Sequence, residues 1–500
     1  MLSNPVRTTL GTDPTHRTHA LNGYAFQQDA IRSFNGWQYA CFYASSRGGA
    51  KELLFVHLSR RRLPDGPWQT LVFEDYAQTV DDGHNTVQLG ICPADGTIHL
   101  SYDHHCDALR YRHSRAGAAT APEATTWDAA LFTPTLSALP GLDATTPRIA
   151  DLLSYITYPR FETRGPDLLF TFRTGKAGLG DDHLCVYTAA RSPSPDTLAD
   201  TDTDTITDAE RETGRESEKK TDVKAVGSYA FLGTHLKGVW NNPYIHGLDA
   251  SPDGRTLHAT WVYRDFVAYE GWDDPLDTKH KMQAGPNSAA NNHDICHAWS
   301  SDGGTVWCAR AGAEGGSEVV IADLRRDESI LPTAPGIIAV AIPKGSGLTN
   351  QEAQAIDIDG GVHVLNRDHR DADGVLRWRH YYLAPGDRDT WVARAVPHVD
   401  GACGGSRGRL AVGRDGDLFF VLPHHADPVL TILRASRAAR YADYELVWRA
   451  EGFPPTDPLV DKARLSYDNV LSVFTRAFNG SEGDGDGDGG VDVVVLDFQL

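Results

Sequence analysis

The chain has no apolar run long enough to cross a bilayer, which excludes a transmembrane helix and predicts no membrane partner. Its opening residues, Met1-Leu2-Ser3-Asn4-Pro5-Val6-Arg7, lack the apolar stretch of a signal peptide, so they carry no visible export signal. Methionine is almost missing, at 2 residues in 500, and long stretches with a helical apolar period are scarce, which argues against a helical bundle. The seven cysteines, at 41, 92, 106, 185, 296, 308 and 403, are odd in number and scattered. That spacing excludes a disulfide framework and predicts thiols that are reduced or at most partly paired. Positive charge is in deficit: 47 Lys and Arg against 67 Asp and Glu leave a net charge of -20. Phosphate binding needs a basic surface, so a nucleic-acid partner is excluded, while an anionic ligand needs only a few arginines converging locally.

What the chain has in quantity is glycine (48), proline (27) and aromatic residues (18 Tyr, 17 Phe, 11 Trp), set in short alternating runs bounded by Gly, Pro, Asp and Asn. These are strand and turn signals. One unit recurs: an apolar strand, an acidic-glycine turn, and a return strand. It runs from Val87 to Arg112 around Asp95-Gly96, and from Tyr244 to Arg264 around Asp253-Gly254. Further copies run from Gln354 to Arg367 around Asp359-Gly360-Gly361 and from Arg409 to Pro423 around Asp415-Gly416, with a looser one from Tyr158 to Arg173. With Trp37 to Tyr76 at the start and Lys462 to Leu500 at the end there are about seven units. The expected fold class is all-β, a seven-bladed antiparallel β-propeller over residues 1–500 as a single domain, its terminal strands sharing a blade. Ser300-Ser301-Asp302-Gly303-Gly304-Thr305-Val306-Trp307 matches the Asp-box, a turn in which Asp caps backbone N–H groups and Trp packs between strands. Two stretches are expected outside the core: the acidic insertion 192–224, predicted disordered, and the Gly/Asp loop 480–490, predicted flexible.

The chemistry concentrates around the first full unit. His84-Asn85-Thr86 stands at one end of a predicted hairpin whose strand ends at Cys92 and returns from Thr97; Asp103-His104-His105 stands at the other. The return brings two imidazoles together, and histidine is the side chain whose ordinary pKa lies near neutrality. His104 and His105 point to opposite faces if both lie in one strand, so one of them is expected to face a ligand. The next unit carries Tyr158-Pro159-Arg160-Phe161 and Phe172-Arg173-Thr174-Gly175, with Tyr158 and Arg173 at its hairpin ends. Two histidines, a tyrosine and an arginine on one rim suit β-elimination beside a uronate carboxylate. A guanidinium neutralises the carboxylate, a neutral imidazole takes the C5 proton, and a second His or Tyr protonates the departing oxygen. Hydrolysis fits less well, since no acidic pair stands out near His84 or Tyr158. Packing of Tyr158 and pairing of Arg173 with Asp181 or Asp182 are the bland alternatives. His293-Asp294-Ile295-Cys296-His297 with Cys308 matches no strong zinc spacing, so no metal or other cofactor is expected.

These motifs resemble those of the BNR-repeat polysaccharide lyases, seven-bladed propellers that include the ulvan lyases and the L-rhamnose-α-1,4-D-glucuronate lyases. The resemblance rests on the 84–86, 95–105, 158–161 and 172–175 segments. It continues through Asn292-His293-Asp294, the Asp-box, Asn350-Gln351, 361–365 and 407–410. It implies catalytic roles for His84, His104, Tyr158 and Arg173, with His105 the fallback for His104; Asn85, His105, Arg160 and Arg264 are expected to contact the substrate. It further implies a monomeric lyase that cleaves the rhamnosyl-α-1,4-glucuronate bond by β-elimination in an anionic polysaccharide or oligosaccharide, leaving a 4,5-unsaturated glucuronate and releasing rhamnose. An extracellular location is expected for such a substrate. An endo-acting ulvan lyase, a sialidase-like hydrolase and a non-catalytic carbohydrate-binding propeller remain as alternatives.

Overall fold

The computed structural model describes residues 2–14, 17–24, 29–45, 53–190, 226–274, 277–278, 286–311, 317–386, 390–399, 403–479 and 490–500. The 192–224 insertion and all of the 480–490 loop except Gly490 lie outside the described residues.

Seven antiparallel sheets follow one another along the chain as the blades of a propeller. Blade 1 spans 31–78, blade 2 87–113, blade 3 156–236, blade 4 241–340, blade 5 353–395, blade 6 409–451 and blade 7 459–499. The predicted Asp-Gly turns lie between the first two strands of their blades. In blade 2 the Asp95 carboxylate accepts from the Thr97 amide at 2.9 Å, and Gly96 takes φ +64, a conformation that glycine adopts without a Cβ penalty. The Asp-box closes as its sequence requires. Asp302 Oδ1 accepts from Val306 N (2.9 Å) and Thr305 N (3.1 Å), Ser300 Oγ accepts from Gly304 N (2.8 Å), and Trp307 is fully buried. All seven cysteines are free thiols.

The ring closes through its ends. Strand Val6–Thr12 pairs with Val491–Gln499, which pairs with Val470–Phe478, so the first strand of the chain completes the last blade. Buried charges rivet this blade to blade 1. Asp497 accepts from Arg61 at 2.5 Å and from Arg464 at 2.7 Å, and Gln38 joins Arg61 (2.6 Å) to Asp461 (2.8 Å).

The inner strands run in the same sense, from the face that carries the predicted site residues to the opposite face. Near the first face Arg160, His246 and Arg409 are buried between them. Two residues further along blade 3, Glu162 faces Asp249 and Lys462; Lys462 Nζ lies 2.5 Å from Asp249 Oδ1 and 4.0 Å from Glu162 Oε2. Burial raises the Glu162 carboxyl to about 7. Arg160 and Arg409 thus lie nearer the first face, and Glu162 and Asp249, with Lys462 between them, nearer the other.

Two departures from the expected hairpins shape the site. The blade 2 ladder ends at Val87–Tyr102, because Asp103 (φ +65) and Cys106 (φ +58) turn the chain out of the sheet. The short strand His105–Asp107 then pairs with Ile156–Arg164 of blade 3. In blade 3 the ladder slips between Thr157 and Arg160, and Tyr158 takes φ +53 in the bulge.

Removing the shared counter-ion of the closure should be costly. Asp497→Ala leaves two buried guanidiniums unpaired and is expected to destabilise the fold by about 3–5 kcal/mol. Chemical denaturation of the variant measures this; a loss below about 1 kcal/mol would show that blade 7 is held without the rivet.

Candidate functional site

The bend at Asp103 decides which histidine meets His84. His105 does: the two rings stack with centroids 3.9 Å apart and planes within 13°. His104 is instead folded inward and almost fully buried, its Nε2 accepting from the Arg110 backbone amide at 2.9 Å. Burial, reinforced by Arg110, depresses His104 to about 3. The expected pair of His84 and His104 is therefore not the pair the fold brings together, since one residue of chain separates the two faces.

Along the Nδ1 edges of the stacked rings, bridging them, lies a residue that the sequence did not single out. Asp82 Oδ1 lies 2.5 Å from His84 Nδ1 and Asp82 Oδ2 2.5 Å from His105 Nδ1. The carboxylate is kept ionised by both imidazoles, well below the usual range despite partial burial. It accepts a hydrogen bond from each Nδ1, which places the basic lone pair of each ring on Nε2. His84 is the more open ring, with 27% of its side chain exposed against 10% for His105. Burial and the neighbouring His105 lower His84 to about 4, Asp82 pulling the other way, so His84 is a neutral imidazole at neutral pH. Asp82 had one local signal, its place two residues before His84 in an Asp-Gly-His turn.

Tyr158 and Arg173 close the other side. The Tyr158 ring centroid is 5.7 Å from His84, and the Arg173 guanidinium carbon stands 5.5 Å over the Tyr158 ring and 5.2 Å over that of Tyr244. The bulge at Tyr158 aims the phenol at the histidines, and burial, with Tyr244 beside it, raises its pKa well above that of a free phenol. Arg173 is held on three sides. Its Nη2 donates to Gly175 O (3.0 Å) and Lys176 O, and its Nε reaches Asn242 Oδ1 (2.6 Å) in the amide orientation that satisfies both ends of Asn242. Among the described residues Nη1 has no acceptor, so it is the corner left for a ligand. Asp182 bonds His235 (2.9 Å) and Asp181 the Gly238 amide (2.9 Å), so the alternative of a structural ion pair with Arg173 is not the arrangement found.

The four residues expected to bind substrate divide. His105 is in the site. Arg264 flanks it, with its guanidinium 4.8 Å over Tyr244 and anchored by Asn292 Oδ1 at 2.8 Å. Asn85 is buried and gives its amide to Asp103 (2.6 Å), which steadies the bend rather than facing the opening. Arg160 lies deeper, donating to Ile245 O at 2.8 Å. Arg407 is an addition: Nη2 bonds Asn350 (2.9 Å), and its charge acts on both His84 and Tyr158.

Asp82, His84 and His105 each offer a metal-ligand atom, all within 4.8 Å of one another, although both Nδ1 atoms are already turned to the Asp82 carboxylate. The 293–297 segment is not such a group: His293 bonds Asp294 (3.0 Å) and Asp265 (3.1 Å), whereas His297 bonds His258 (3.1 Å).

Replacing Asp82 by Asn should lower the His84 pKa below its present value of about 4, because the carboxylate is what raises it. Titration of the ring protons by NMR checks this; an unchanged or higher pKa would mean that Asp82 is not the group holding the two imidazoles.

Comparison with known proteins sets the site in context. No curated protein sequence matches the chain. Among solved structures it is similar to the polysaccharide lyase Uly1, at 15% identity and a TM-score of 0.60, covering 100% of this chain and 99% of that one. It is similar too to a PL25 ulvan lyase bound to -[GlcA(1-4)Rha3S]-, at 12% identity and a TM-score of 0.51, covering 94% and 93%. At such identities the likeness is one of fold. The model of the BNR repeat-containing family matches residues 37–399, most of the chain and all of the residues gathered here except Arg407, and the chain accordingly belongs to that family.

Proposed function

We propose that the protein is a polysaccharide lyase that cleaves the rhamnosyl-α-1,4-glucuronate linkage by β-elimination, leaving a 4,5-unsaturated glucuronate. The observation that carries this reading is the neutral His84, held by Asp82 and facing Tyr158 across 5.7 Å with Arg173 over the phenol ring. In the reaction the uronate carboxylate lies against Arg173 Nη1, which stabilises the charge that builds as C5 loses its proton. His84 Nε2 takes that proton. The electron pair forms the C4–C5 double bond, the C4–O4 bond breaks, and O4 takes the Tyr158 hydroxyl proton. His105 and Asp82 hold His84 in the basic tautomer. Arg264 and Arg407 add positive charge around the carboxylate. The partner is thus an anionic polysaccharide or oligosaccharide of glucuronate and rhamnose, and one propeller domain acting alone is sufficient for the chemistry.

A second reading, an endo-acting ulvan lyase, is favoured by the likeness to the ulvan lyase bound to -[GlcA(1-4)Rha3S]-. Incubation with gum arabic and with ulvan separates the two. Free rhamnose with unsaturated uronate absorbance supports the first, unsaturated oligosaccharides from ulvan the second. A saturated reducing sugar, or retention without turnover, would overturn both.

His84→Ala is expected to lower kcat by roughly a hundredfold to ten-thousandfold with the fold intact, the range for losing a proton-transfer group. Arg173→Lys should also cost about tenfold to a hundredfold in kcat, because lysine cannot hold three fixed acceptors and still present a donor to the carboxylate. A rise in KM alone would reduce Arg173 to a docking contact.

The pH profile has a defined sign. Protonated His84 cannot act as a base, and its pKa in the folded protein is about 4, so kcat/KM should stay level as pH falls from 7 through 5 and drop only near 4. An acid limb at the ordinary histidine value, near 6.5, would exclude His84 in this environment as the base.

A further inference from the structure

Where the inner strand Asn241–Ala250 of blade 4 begins, the chain presents a large aromatic ring to solvent. Trp240 is 58% exposed and takes φ +55, a left-handed conformation unusual for a bulky residue. Its backbone is committed on that bend, its carbonyl accepting from Phe266 N at 2.9 Å. The ring does not stand alone. Trp272 lies 5.5 Å and Phe266 5.9 Å from it, Phe266 and Trp272 are 5.3 Å apart, and Val239 and Val267 are exposed beside them. An open apolar patch backed by packed aromatic rings marks a contact surface rather than a piece of core.

The patch is tied to the candidate site. Lys176 Nζ donates to Trp272 O at 2.5 Å, while the Lys176 carbonyl accepts from Arg173. On the other side Asn242, which clamps Arg173, is two residues from Trp240. From Tyr244, under Arg173, back to Trp240 is about 13 Å of extended chain, roughly two or three sugar rings.

We propose that Trp240, backed by Trp272 and Phe266, is a sugar-stacking platform that takes the apolar C–H face of a neutral pyranose in the same polysaccharide chain, two or three rings from the bond that breaks. This rests on the lyase reading for the identity of that chain. The exposed indole of Trp240, held by two uncharged rings behind it, matches the flat face of a neutral sugar and offers nothing to a carboxylate, so the platform favours the neutral unit and sets the register of the polymer across Arg173.

Affinity electrophoresis tests this without turnover. The His84→Ala protein is run in gels containing gum arabic or ulvan, alone and with Trp240→Ala or Trp240→Phe added. The expected result is retardation of H84A, an apparent Kd at least about tenfold weaker with W240A, and recovery of most of the retardation with W240F. In the otherwise native enzyme W240A should raise KM for the polymer about tenfold while kcat changes less than about twofold. Equal retardation of H84A and its W240A derivative overturns the platform, as does retardation of H84A by neither polymer. A loss confined to kcat overturns it too, by placing Trp240 at the reacting centre. Release of unsaturated uronate by the native enzyme is scored separately, so the lyase reading stands or falls on its own measurement.

Discussion

A propeller is a sheet structure that must end where it began, and closure is the constraint on which the rest of this molecule depends. The strand 6–12 completes blade 7, and the Asp497 carboxylate between Arg61 and Arg464 ties that blade to blade 1. Once the circle is shut, all inner strands start at one face. Residues far apart in the chain then meet there: His84 from the loop before blade 2, Tyr158 and Arg173 from blade 3, Tyr244 and Arg264 from blade 4, and Arg407 from the start of blade 6. No blade holds the constellation alone.

Within that rim, control passes to Asp82. A carboxylate that takes one hydrogen from each of two stacked imidazoles fixes both tautomers at once. Burial and the adjacent ring of His105 also hold His84 below the ordinary histidine value, so it stays neutral near pH 7. A lone surface histidine would spend part of its time protonated at neutral pH and would have no fixed orientation. The bulge at Tyr158 serves the same end by a different means. A regular ladder would alternate the side chains of Thr157 and Tyr158 across the sheet, and the left-handed residue turns the phenol toward the pair.

The fold was legible in the sequence because its signals are local. An Asp-Gly turn between two apolar strands can be read from a dozen residues, and the Asp-box carries its own hydrogen-bonding pattern. The site was legible in kind, and in one respect its register was readable too. A hairpin that joins Cys92 to Thr97 has partner numbers summing to 189, which sets His84 opposite His105, not His104; the ladder keeps this sum from Ile91–Ile98 to Val87–Tyr102. What could not be read was the exit of the chain at Asp103 onto the next blade, which depends on contacts from Tyr76, Gln78 and Asn85 to its carboxylate. Asp82 was obscured for a related reason: an Asp-Gly pair reads as turn chemistry, and its partnership with His105 spans 23 residues. The anchoring of Arg173 was hidden because its acceptors are two backbone carbonyls and an asparagine from another blade.

The contrast between the net charge of the molecule and the buried arginines at the site has a consequence for how an anionic chain would arrive. The molecule as a whole carries -20, so at a distance it repels a polyanion. The arginines at one mouth act only at short range, and being largely buried they are poorly reached by mobile ions. Salt at ~0.1 M shortens the reach of exposed charges to about 10 Å, which removes the distant repulsion before it weakens the close attraction. Ionic strength, usually the enemy of a complex between a polyanion and its arginines, would here act first in favour of one, by screening the net charge of the molecule before the buried guanidiniums.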